Sequence, residues 1–162
     1  MENLSNEELA ERVAILKRLK TLLEQQRNKF REYLNVLEKQ QNSIDAEDSD
    51  ALIKHSELEQ QIVKNISSLQ KVIVPMNKMY TAINNKNSAS SSENESDITQ
   101  IQLELSALQQ KVIKQNEINR DLLRVHLEKI KMQIANFNNP YKTSKSVYAQ
   151  TEKVGNFVEL NV

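Results

Sequence analysis

The sequence predicts an all-α protein of three long helices. The first two close as an antiparallel coiled-coil hairpin, and the third packs alongside or swaps onto a neighbour. Three observations carry this. The 162 residues include one glycine and two prolines, too few for a fold built from repeated tight turns, which draw on positive φ. Charged residues make up 27% and hydrophobic residues 38%, a balance that suits narrow apolar seams on exposed helices rather than a thick core. Apolar positions also recur at alternating steps of three and four, the spacing of one helix face.

Helix one is expected over residues 5–43. Ser5 and Glu8 form a capping box, and Leu4 with Leu9 forms the accompanying hydrophobic staple. Leu9, Val13, Leu16, Leu23, Phe30, Leu34, Leu37 and Ile44 then trace a seam whose skipped slots hold Lys20, Arg27 and Gln41. Ile15, Leu19 and Leu22 widen the stripe on one flank, so this end should touch two helices rather than one. The run from Asp45 to Asp50 gathers carboxylates ahead of a new periodic stretch, where they favour a helix N-terminus.

Helix two is expected over 49–83. Its seam reads Leu52, His55, Glu59, Ile62, Ile66, Leu69, Ile73, Met76, Tyr80 and Ile83. Pro75 lies inside it and predicts a kink or local break, because proline lacks the donor for the carbonyl one turn back. The short connection makes the pair antiparallel, and residues 1–83 form the hairpin. Residues 84–96 carry no large apolar side chain and read as a flexible polar linker. Helix three is expected over 97–137, capped by Asp97 with Gln100 in the reciprocal position. Its seam passes Ile98, Ile101, Leu105, Leu108 and Val112, changes to Gln115, Asn116 and Asn119, and resumes at Leu123. Asn138-Asn139-Pro140 ends it, leaving 138–162 as a mobile C-terminal tail.

Basic and acidic residues balance at 22 each, so no overall field steers the chain to nucleic acid or an anionic membrane. Without cysteine there is neither a disulfide framework nor thiol chemistry. The first residues are polar and acidic, unlike a secretory leader, and no apolar run is long enough to span a bilayer. A cytoplasmic location is the expectation. Catalysis is not expected: the phosphate-loop, dinucleotide, zinc-protease and nucleophile-elbow motifs do not occur, and the carboxylates alternate with Lys, Arg and Gln as on solvated helix faces. His55 and Glu59 share a face at metal-ligand spacing but have no third ligand anchored nearby. They read as seam residues close to a helix end, and His126 reads as a surface residue. No metal and no cofactor are expected.

The amides Gln115, Asn116 and Asn119 admit two readings. As structure, buried amides fix register and exclude wrong pairings. As function, they divide helix three into an end committed to the hairpin and an end free for a partner. Beyond them, Leu122, Leu123, Leu127, Ile130, Ile134 and Phe137 offer more apolar surface than a solvated helix end carries. Tyr148 is an aromatic in a tail too polar to fold by itself.

The run Lys114 to Leu127 contains Asn116, Asn119, Leu122, Leu123, His126 and Leu127 in the pattern N-x-x-N-x-x-L-L-x-x-H/Y-L. It resembles a stretch of the FlgN-type flagellar export chaperones. The hairpin rich in Leu, Glu and Gln and the tail pair Tyr148-Ala149 agree, although the family's tail has Gly after its Tyr and a less serine-rich tether. The resemblance implies a cytoplasmic chaperone of the flagellar type III export system. Such a protein binds the C-terminal helical segments of hook-associated proteins, prevents their early assembly and delivers them to the export gate. It implies a client platform at Leu122, Leu123, Leu127, Ile130, Ile134 and Phe137, used by helix-in-groove recognition, and docking at the export gate through Tyr148. The rival expectation is a coiled-coil scaffold or tether without chaperone activity, and the chaperone reading itself leaves room for a homodimer. A scaffold should consume helix three in its own seam and leave no apolar stripe unpaired.

Overall fold

A computed structural model describes residues 5–86 and 93–137. It is all-α, with α1 at Asn6–Asp45, α2 at Ser49–Lys86 and α3 at Glu93–Ala135, and no strand occurs among the described residues. The chain divides into two compact units, Met1–Arg124 and Val125–Val162. The division falls inside α3, not at the polar stretch between helices.

Local chemistry sets the helix ends. The Ser5 hydroxyl accepts from the Glu8 amide, and the Glu8 carboxylate accepts from the Ser5 amide at 2.9 Å. At the other end of α1, the Glu47 amide donates to the Ile44 carbonyl and the Asp48 amide to the Ser43 carbonyl at 2.9 Å. That pair of bonds closes a helix around a left-handed residue, here Glu47 at φ 55° rather than the usual glycine. Asp48 then caps α2, its Oδ1 accepting from the Ala51 amide at 3.1 Å. One short turn thus ends α1 and starts α2, which reverses the chain.

Side-chain bonds fix the directions. Gln26 meets Gln70 while Tyr33 and Gln40 meet Glu59, so α1 and α2 run antiparallel. Arg12 pairs with Glu95, Lys20 with Asp97 and Arg27 with Glu104, so α3 runs parallel to α1 in the same chain. The core lies along α1, where Leu16, Leu19, Leu23, Phe30 and Leu37 are buried with Ile73 of α2 and Ile98, Ile101, Leu105 and Val112 of α3. Leu19 is fully buried and Leu22 packs on the same cluster, as the widened stripe predicts. Of the hairpin residues, Ile62 and Ile73 are buried, while Leu34, Ile66 and Leu69 are half-buried.

Several expectations are corrected. Leu9 and Val13 are exposed at 44% and 43%, so the α1 seam starts later than its spacing suggests. Glu95 sits beside Arg12, where the polar first turn of α3 (Glu93, Asn94, Glu95) brings no apolar side chain to cover Leu9 and Val13. Helix α2 is not broken at Pro75 but continues to Lys86. Pro75 and Lys71 are both exposed, so the carbonyl that loses its donor lies where water can replace it. The linker of 84–96 is shorter than predicted, because α2 takes its first residues and α3 begins at Glu93. Asp97 and Gln100 do not cap α3: Asp97 holds Lys20, and Gln100 donates to Glu104. Helix α3 ends at Ala135, with Asn136 and Phe137 following. The tail of 138–162, with Tyr148, lies outside the described residues.

Candidate functional site: a polar layer and an exposed apolar stripe

The three seams leave hydrocarbon at one level of the first unit and meet in a layer of amides around one phenol and one carboxylate. The Asn119 side chain, buried at 5% exposure, donates to the Leu37 carbonyl at 2.8 Å and accepts from Gln115 at 3.0 Å. Gln115 also donates to Gln41 at 2.6 Å. Asn119 reaches Gln40 at 3.5 Å, and Gln40 in turn donates to the Glu59 carboxylate of α2. The other Glu59 oxygen accepts from the Tyr33 hydroxyl at 3.2 Å, and Tyr33 accepts from Asn116 at 3.2 Å. Each helix contributes at least one member, so the network ties all three into one register. Burial pushes the Tyr33 phenol above its ordinary pKa, and the Glu59 charge adds to that. The bond from Asn116 acts in the opposite direction.

Polar partners on α3, in the layer and outside it, explain residues that the periodicity leaves as blanks. Lys20, Arg27 and Gln41 occupy seam slots of α1 because their partners are polar: Asp97, Glu104 and Gln115 of α3. The bond to Asp97 raises the Lys20 pKa. Nothing in the spacing of Tyr33, Gln40 and Glu59 groups them as a set. Their one signal was a carboxylate at a seam slot of α2, which needs a buried donor to be tolerated. Glu59 is committed to Tyr33 and Gln40, not held with His55 as a ligand pair. Among the described residues no group of three or more His, Cys, Asp or Glu is placed to hold a metal ion. No helix of the described residues is long and apolar enough to cross a membrane.

Asn119 is the last buried residue of α3. Of the predicted platform, Leu122 is half-buried and Leu123 is 39% exposed in the first unit. In the second unit Leu127 is exposed at 55%, Ile130 at 49%, Ile134 at 70% and Phe137 at 69%. Leu127, Ile130 and Ile134 follow at steps of three and four, which puts them on one helix face. His126 is half-buried, not fully exposed.

No protein-family model matches the chain, and no solved structure matches it. Over 133 residues it is 38% identical to a protein of Treponema pallidum (strain Nichols), an overlap covering 82% of this chain and 81% of that one. That relative is itself an uncharacterized protein. At that identity and coverage, this chain belongs to the same family as the Treponema protein.

Proposed function

We propose that this protein is a cytoplasmic, non-enzymatic export chaperone of the FlgN type. It holds the C-terminal helical segments of hook-associated proteins and delivers them to the flagellar type III export gate. The observation that carries the reading is the stripe of Leu127, Ile130 and Ile134, followed by Phe137, each about half exposed or more. Large aliphatic side chains at helical spacing left in water fit an amphipathic helix laid along them. The motif from Asn116 to Leu127 supports the family assignment, and a scaffold that used α3 wholly in its own seam would not leave this face bare. A client that gains order on binding gives moderate affinity and easy release, which suits delivery.

The test is a pulldown of hook-associated proteins with and without their C-terminal segments. Retention of the full-length proteins and loss of the truncated ones is expected. Equal retention of both, or of neither, would sink the reading. Tyr148 carries a separate expectation: Tyr148→Ala should leave client capture intact and reduce secretion of the clients. Normal secretion after that change would remove Tyr148 from export-gate docking.

A further inference from the structure

A second surface lies in the first unit and has no part in the function proposed above. A groove of about 640 Å³ is floored by Gln26 and Phe30 of α1, walled on one side by Val63, Ile66 and Val74 of α2, and reached by Gln109 of α3. Val63 and Val74 are exposed at 43% and 39%, so its walls are apolar and open. In the floor, the buried Gln26 amide donates to Gln70 at 2.7 Å, while its Oε1 has no hydrogen-bond partner. A buried acceptor left unmet is costly.

Charge selects the occupant. From Gln60 to Lys86, α2 contains no Asp or Glu. Within that stretch Lys64, Lys71 and Lys78 recur at intervals of seven and are all exposed, and Lys71 itself lines the groove. Residues seven apart lie on nearly the same side of a helix, so the three lysines follow one edge of the apolar walls. By contrast, Arg12, Lys20, Arg27 and Arg31 of α1 each meet a carboxylate of α3. We propose that this groove is the docking site for an acidic amphipathic helix of a partner protein. Its apolar face would cover Val63 and Val74, and its carboxylates would follow Lys64, Lys71 and Lys78. An anionic membrane would use the lysines but leaves the walled groove without a role.

The experiment uses the full chain and two fluorescent helical peptides with identical apolar faces, one flanked by Glu and its twin by Lys. Anisotropy should show saturable binding of the Glu peptide, weakening as salt rises, and little binding of the Lys twin. Single surface ion pairs contribute little, so the variant reverses all three charges. Lys64→Glu, Lys71→Glu and Lys78→Glu together should weaken the Glu peptide by about tenfold or more. Val74→Asp should also weaken the Glu peptide, and circular dichroism should show both variants as helical as the wild type. The proposal is overturned if the wild type does not bind the Glu peptide or binds the twin equally well. It is also overturned if the triple variant binds unchanged or if only vesicles of anionic lipid are bound. A wild-type dimer in sedimentation that the triple variant dissolves would assign the groove to a second copy, and would overturn it as well.

Discussion

Tyr33 is half-buried at the point where α1, α2 and α3 exchange hydrogen bonds. Its phenol donates to a carboxylate, so ionisation would remove the donor and set two negative charges against each other. Burial and the Glu59 charge raise the folded-state pKa, while in the unfolded chain the phenol titrates near about 10. The sign follows: the contribution is complete below about pH 10 and is lost as pH rises through the higher folded value. Lys20, also raised through its bond to Asp97, loses its share in the same direction. Urea unfolding at neutral pH and at about pH 11 should therefore show an alkaline loss that Tyr33→Phe reduces but does not abolish. At neutral pH the same change should cost about 1–3 kcal/mol, since it strips partners from Glu59 and Asn116. An alkaline slope identical in both proteins would place the titration elsewhere. Glu47 offers an independent case. Its left-handed φ of 55° costs a residue with a Cβ about 1 kcal/mol or more, partly offset by the greater unfolded-state entropy of glycine. Glu47→Gly should accordingly stabilise the hairpin by about 0.5–1 kcal/mol, and a lower denaturation midpoint would show that the side chain contributes more than the backbone strain.

At the scale of elements, apolar periodicity traces the α1 seam from Leu16 to Leu37 but overshoots at Leu9 and Val13, and it says little where a helix is polar. The capping box of Ser5 and Glu8 and the turn after Asp45 were legible because their determinants lie within a few residues. The start of α3 at Glu93 was not legible. Glu93, Asn94 and Glu95 carry no apolar marker, and Glu95 is engaged by Arg12, which is 83 positions away in the chain. The acids in that first turn suit a helix N-terminus, yet such a run is equally common in loops. The polar layer was half legible: Gln115, Asn116 and Asn119 stood out as amides in an apolar seam, but their partners depend on the register of distant helices. That register makes the layer testable. Asn119→Leu removes the bond to the Leu37 carbonyl and leaves Gln115 without one of its acceptors. If the amides specify pairing, the variant should keep its helicity and lose at most about 1–2 kcal/mol, since an apolar residue replaces a buried amide. It should also populate additional oligomers, visible in size-exclusion chromatography coupled to light scattering. A single species identical to the wild type would show that the apolar seams alone define the register.

Across the whole molecule, the buried side chains of α3 stop at Asn119 while its large apolar side chains continue to Ile134, with Phe137 just beyond the helix. The first unit holds the core of Leu19, Leu37, Ile98 and Leu105; Leu127, Ile130, Ile134 and Phe137 belong to the second. A core residue and a stripe residue should therefore respond to substitution in opposite ways, although both are aliphatic residues of the same helix. Leu105 is 7% exposed, and Leu105→Ala should destabilise by about 2–5 kcal/mol, at the lower end because a thin bundle can relax around the void. The matched change is Leu127→Gln with Ile134→Gln, at positions 55% and 70% exposed. Exposed positions away from packed features shift stability by about 0.5 kcal/mol or less, so the melting temperature of the double variant should stay near that of the wild type. Capture of hook-associated C-terminal segments should fall sharply in the double variant, because the apolar face that would cover them is gone. In Leu105→Ala, measured well below its melting temperature, capture should persist. If instead the double variant melts early, Leu127 and Ile134 are core residues of an assembly larger than one chain, and the stripe is an interface between copies rather than a client platform.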